Sequence, residues 1–99
     1  MTDRILSMIG LARKAGKLTS GETLCEDAVR KGKACLLILA SDAAKNSSKN
    51  LTDSTNYYKV PLVVYGTKES LGKAIGSGQR SAVCITDPGI AQKIVSLIH

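Results

Sequence analysis

Apolar residues recur along this chain in two rhythms, one belonging to helices and the other to buried strands. Ile5, Met8, Ile9 and Ala12 fall three and four apart, which predicts an amphipathic helix over residues 3 to 15. Arg13 and Lys14 occupy its last turn, and Gly16 supplies the stop. "KLTS" is then a short extended piece. Thr19 and Glu22 stand at capping-box spacing, which places a second helix start near Gly21. Leu24, Cys25, Ala28 and Val29 form the apolar stripe of that helix, and Gly32 closes it. "ACLLILA", residues 34 to 40, is an unbroken apolar run and predicts a central strand covered on both faces.

The second half repeats the alternation. Ser41 or Asp42 is placed to cap a third, more polar helix through "AAKNSSKNLTDSTNYY". "VPLVVY" reads as a second buried strand with Pro61 near its start. Thr67 can cap a fourth helix, "KESLGKAI", which Gly76 ends, and "SAVCIT" is a further strand. Asp87 and Pro88 open a last helix whose apolar side is Ile90, Ala91, Ile94, Leu97 and Ile98. The predicted class is α/β: a three-layer α/β/α sandwich, with a small mixed sheet of about four strands between helices. No linker, repeat or low-complexity segment interrupts it, so residues 1–99 are expected to form one domain.

Composition narrows the function. With 43% hydrophobic and 22% charged residues the chain is globular in type. No apolar run approaches the roughly 18 residues of a membrane span. The N-terminus lacks a continuous signal-peptide core, being broken by Gly10, Arg13 and Lys14, so a cytoplasmic location is expected. Cys25, Cys35 and Cys84 are widely separated, form no Cys-x-x-Cys pair, and are accompanied by a single histidine, His99. They read as small buried residues in a reducing compartment, with no metal site.

Enzyme signatures are missing. Gly76-Ser77-Gly78 is half a dinucleotide fingerprint, but Ser81 stands at the third glycine position and a strand follows where a helix is required. There is no Gly-Lys-Ser/Thr phosphate loop and no histidine placed to activate a serine or cysteine. Cys25 near a helix start could be acidified, but its place on the apolar stripe makes it inert. Neither catalysis nor a cofactor is expected.

Fourteen Lys and Arg against eight Asp and Glu, a net charge of +6, point to an anionic partner. With no Phe or Trp, and Tyr57, Tyr58 and Tyr65 as the only tyrosines, an aromatic base-stacking platform is not expected. Tyr57-Tyr58 reads as packing at the core edge. What remains is the start of the second helix. Its unpaired amides and partial positive charge can receive a phosphate, and Gly21 leaves room for another backbone. Lys14 and Lys17 lie just before it in sequence. Acids at the start and Arg30, Lys31 and Lys33 at its far end only complement the helix dipole, at about 0.3 to 1 kcal/mol each. That polarity by itself is not a functional signal.

Taken together, "GLARKAGKLTSGE", Gly21 with Gly32, "LLILASDAAKN" and "YYKVPLVVYGTKESLGKAIG" resemble the ribosomal L7Ae/L30e family of kink-turn RNA-binding proteins, over nearly the whole chain. The resemblance implies a non-enzymatic protein that binds structured RNA, above all ribosomal RNA, with ribosomal proteins as further candidate partners, and a monomer by default. In that family the second helix start carries a glycine, then an Asn-Glu pair, then a Lys three residues beyond the Glu. In register with Gly21 these positions hold Thr23, Leu24 and Asp27, so the side-chain readout of a kink-turn is altered. The helix-start reading and the resemblance together give an RNA-facing set of Lys14, Lys17, Ser20, Gly21, Glu22, Thr23, Lys45, Asn46, Gln79 and Arg80. Arg80 is the leading candidate, since its planar fork suits phosphate. Lys31, Lys33 and Lys93 read as surface charge. The rival reading is a protein-interaction adaptor on the same sandwich, favoured by the altered Leu24 and Asp27.

Overall fold

Helix starts and stops set the frame of the molecule. In the computed structural model, which describes residues 3–98, the order is α1 (Arg4–Lys14), β1 (Leu18–Ser20), α2 (Glu22–Arg30), β2 (Leu36–Leu39), α3 (Lys45–Tyr58), β3 (Leu62–Val64), α4 (Lys68–Ala74), β4 (Ala82–Ile85) and α5 (Pro88–Ile98). His99 lies outside the described residues. Gly16, Gly32 and Gly76 follow α1, α2 and α4 with φ of 71, 73 and 71°, the left-handed turn that a glycine enters without steric cost.

The strands form one mixed sheet in the order β1-β4-β2-β3. β4 is antiparallel to both β1 and β2, whereas β2 and β3 run parallel. Because side chains alternate along a strand, the sheet divides the apolar residues between two faces. Leu36, Ile38, Val83 and Ile85 pack with Ile5, Ile9, Leu71 and Ile94 of α1, α4 and α5. Leu37, Leu39, Ala82 and Cys84 pack with Cys25, Val29 and Leu51 of α2 and α3. The result is the α/β/α sandwich anticipated from the alternation, with β2 and β4 buried at its centre.

Several local expectations need correction. "VPLVVY" is not a fully buried strand. β3 lies at the sheet edge, half-buried, with Val64 58% exposed, because only β2 flanks it. The α3 cap is not Ser41 or Asp42 but Ala44, which provides no side-chain bond. The parallel pairing of β2 and β3 instead brings residues 41–42 beside the start of α4. There the Ser41 hydroxyl donates to Gly66 O (2.7 Å) and Asp42 Oδ1 accepts from Lys68 N (2.7 Å). Leu24 leaves the apolar stripe of α2, which runs through Cys25, Ala28 and Val29, and is 57% exposed. Tyr57 and Tyr58 do not pack at the core edge. The buried face of α3 ends at Thr55, and the two rings meet edge-on at 4.8 Å with Tyr57 78% exposed.

Register decides where function can sit. Ser20 pairs with Val83, and Leu39 pairs with both Ala82 and Val64. The carboxyl ends of β1, β2 and β3 therefore gather at one end of the sheet with the start of β4. From this end α2, α3 and α4 all depart, and such crevices beyond strand carboxyl ends are where open α/β sheets receive ligands.

Candidate nucleic-acid interface

At that end the start of α2 is built by backbone geometry. Gly21 is its N-cap with φ 91° and ψ 153°, a conformation that strains any residue with a side chain. Its N–H donates to Ala82 O at 3.0 Å, which ties the helix start to the central strand β4. The space where a Cβ would project is open. No side chain caps α2, so the capping box expected from Thr19 and Glu22 does not form.

Glu22 is used elsewhere. Its carboxylate accepts from the Ser47 hydroxyl and from Asn50 Nδ2 (3.2 Å), both on α3. Those bonds, Ser47 foremost, hold the Glu22 carboxyl below the usual carboxylate range. They also set the starts of α2 and α3 side by side. Because Ala44 gives α3 no side-chain cap either, the first-turn amides of both helices have no side-chain acceptor among the described residues. Lys45 and Asn46 are exposed in the first turn of α3.

Arg80 enters from the loop before β4. Its Nε donates to Ser20 Oγ at 3.2 Å and its Nη1 to Gln79 O at 3.0 Å, two of the five N–H donors a guanidinium carries. The loop itself lies on α4. A Cβ on Gly72 would fall 2.0 Å from Gly78 O and 2.7 Å from Gly78 C, so only glycine at 72 permits this packing. Arg80 N also donates to Lys68 O at 3.0 Å.

Ser20, Gly21, Glu22, Thr23, Lys45, Asn46, Gln79 and Arg80 are thus neighbours at one end of the sheet. Lys17 is not with them. Its carbonyl accepts from Thr86 N, which fixes it at the opposite end of β1, roughly 10 Å away at strand rise. Lys14 lines a groove between α1 and α4, in the helical layer on the other face of the sheet. Nearness in sequence misplaces both lysines, because β1 carries the chain away from them. Ser47, Asn50 and Gly72 were not candidates; the Gly72 in "SLGKAIG" was the one with a visible signal, a glycine inside a helix. Asp27 is paired along its own helix with Lys31 (3.0 Å) and Arg30 (3.6 Å).

Two other features are chemically quiet. Cys25 and Cys84 are buried neighbours, and the adjacent thiol together with burial pushes the Cys25 thiol up, away from thiolate. No cluster of His, Cys, Asp and Glu among the described residues could hold a metal ion. No helix among them is long and apolar enough to cross a membrane.

The four-stranded mixed sheet between helices is an α/β/α sandwich, and comparison with known proteins gives it a family. Residues 3–95 match the Ribosomal protein L7Ae/L30e/S12e/Gadd45 family, and the chain belongs to it. Within the family it is similar to the bacterial YlxQ-type proteins. It is 42% identical over 91 residues to RNA-binding protein YlxQ of Bacillus subtilis (strain 168), covering 92% of this chain and 91% of that one. It is 36% identical over 96 residues to RNA-binding protein YlxQ of Enterococcus faecium, covering 97% and 92%. The structure of a protein with unknown function from Bacillus halodurans C superposes with a TM-score of 0.93 at 37% identity, over 98% of both chains. The Giardia lamblia 15.5kD RNA binding protein shares the fold, with a TM-score of 0.80 at 22% identity over 99% of this chain and 90% of that one.

Proposed function

We infer that this chain is a non-enzymatic, cytoplasmic RNA-binding protein, ribosomal or ribosome-associated, which holds structured RNA mainly by its backbone. One observation carries the reading. The starts of α2 and α3 lie together without side-chain caps, linked through Glu22 to Ser47 and Asn50, with Arg80 anchored on Ser20 beside them. Such a surface offers amides, helix-end charge and one planar cation to a phosphate backbone. The names of the Bacillus and Enterococcus relatives support an RNA partner, and the net charge of +6 agrees.

Sequence-specific reading is weaker at this surface than in the full motif of kink-turn binders. Thr23 keeps a hydroxyl, Leu24 accepts nothing, and Asp27 places a carboxylate, although one already paired with Lys31. If about four phosphates are engaged, affinity falls by roughly two decades between 50 and 200 mM salt. The test is a titration of an RNA bearing tandem G·A pairs in an internal loop, against a fully paired duplex of equal length, across that salt range. The expected result is a steep salt slope for both RNAs and a modest preference for the bent one. Salt-independent binding would overturn the reading.

One observation favours a protein partner at the same helix: Leu24, apolar and more than half exposed at one of the motif positions. Gly21→Asp and Arg80→Glu, assayed against both RNA and ribosomal proteins, separate the two. Loss confined to RNA supports the RNA reading, and loss confined to protein supports an adaptor.

A further inference from the structure

The groove between α1 and α4 lies on the face of the sheet opposite α2 and α3, and the proposed RNA contacts make no use of it. It is an open furrow of about 940 Å³ whose walls include Leu6, Leu11, Ala74 and Ile75. Leu11 is 55% exposed. Gly10 brings the two helices close, since a Cβ there would lie 3.0 Å from Ala74 O. Arg13 and Lys14 in the last turn of α1, and Lys73 in the last turn of α4, line the same furrow. None of the three forms an ion pair among the described residues, where the ion pairs belong to Asp27. Among the described residues the one carboxylate lining the groove is Asp3, and it is engaged with the Tyr65 hydroxyl and the Leu6 amide.

We propose that this furrow is a docking site for an acidic amphipathic helix of a protein partner. Cations near helix ends ordinarily offset the dipole, but two helix ends carry only about half a negative charge each. Arg13, Lys14 and Lys73 exceed that, so the end of the groove is left positive by roughly two charges. Phosphate could answer the charge, but it would leave Leu6 and Leu11 uncovered. A helix with an apolar stripe at i, i+3, i+4 and i+7, flanked by glutamates, satisfies both. A furrow between two close-packed helices is also the shape that receives a third. With RNA at the carboxyl ends of the strands and a partner here, the chain would join the two without competition between them.

The probe is a fluorescent peptide with leucines at i, i+3, i+4 and i+7 and glutamates elsewhere, followed by anisotropy and by amide shifts of the isotope-labelled full-length protein. Two controls accompany it: a scrambled peptide of identical composition, and oligoglutamate. Saturable binding of the patterned peptide is expected, with the largest shifts at residues 6–14 and 73–76 and little change at Gly21. Arg13→Glu with Lys73→Glu should weaken it about tenfold, and Leu11→Ala about fivefold, while RNA affinity of the Leu11→Ala protein stays unchanged. Equal binding by oligoglutamate or the scrambled peptide would overturn the proposal, since bare charge would then suffice. So would shifts centred on Gly21, displacement of the peptide by RNA, concentration-dependent self-association through the groove that excludes it, or no saturation at millimolar peptide. Each of these can occur whether or not RNA binds at the α2 start, so the two readings stand or fall separately.

Discussion

Helices in this molecule begin in two different ways. Asp3, Thr67 and Asp87 each turn a side-chain oxygen onto a first-turn amide, at Leu6 in α1 (3.0 Å), Ser70 in α4 (3.1 Å) and Ile90 in α5 (2.8 Å). α2 and α3 begin at Gly21 and Ala44 with no such bond. A side-chain cap contributes about 1 kcal/mol over Ala44 and a few tenths of a kcal/mol over Gly21, a noticeable part of the stability of a domain stable by about 5 to 15 kcal/mol. The omissions are not scattered. They fall on adjacent helices, at the same end of the sheet, beside Arg80. The two starts without caps are those proposed to meet RNA, while α4, which departs from the same end, keeps its Thr67 cap.

That contrast can be attacked from several sides. The largest effect is expected for Gly72→Ala, which drives the loop bearing Arg80 off α4. Overpacking against backbone atoms should cost about 2 kcal/mol or more, lower Tm on the order of 10 °C, and weaken RNA binding as well. Arg80→Glu should leave Tm nearly unchanged, because the side chain is only half-buried, yet reduce RNA affinity about tenfold at low salt and lower the salt slope by about one. The sharpest pair sets Asp87→Ala against Ala44→Asp. Removing the α5 cap should cost about 1 kcal/mol by urea denaturation with no effect on RNA. Supplying one at Ala44, whose backbone (φ −59°, ψ 148°) suits a cap, should stabilise by a similar amount while weakening RNA binding severalfold. If Ala44→Asp stabilises and RNA affinity does not change, the open amides of α3 are not part of the interface.

The smallest expected effect is on the acid side. The bonds from Ser47 and Asn50 depress the Glu22 carboxyl below its ordinary 4.5, and those from Tyr65 and Leu6 depress Asp3 below 3.8. A carboxyl depressed in the fold stabilises fully above its unfolded value, and that contribution disappears as pH falls through the lower folded value. Stability should therefore fall as pH drops below about 4.5. Glu22→Gln should flatten part of that fall in urea midpoints measured across the range.

The sandwich was readable in the sequence because its signals are local. The three- and four-residue spacing of Ile5, Ile9 and Ala12, the run Leu36 to Leu39, and the caps Thr67 and Asp87 each act within a few residues of where they stand. The candidate interface was only partly readable because it is assembled across the sheet. Glu22 could serve as a capping-box acid or as a tether to Ser47, and only the packing of α2 on α3 decides. Lys17 appeared close to Gly21 in sequence, yet a single strand separates them. Ser41 and Asp42 have the chemistry of caps, but the parallel pairing of β2 with β3 brings α4 nearer, so Asp42 accepts from Lys68 N at the start of α4 and the Ser41 hydroxyl donates to Gly66 O.

The bond from Gly21 N–H to Ala82 O also orders events in time. Synthesis delivers the amino half first, but β1 has β4 as its only neighbour in the sheet, and Arg80 stands just ahead of β4. A nascent chain halted before residue 80 would hold α2 without the strand that fixes its start and without its leading cation. Fragments that stop before residue 80 are therefore expected to lack the proposed RNA-binding surface.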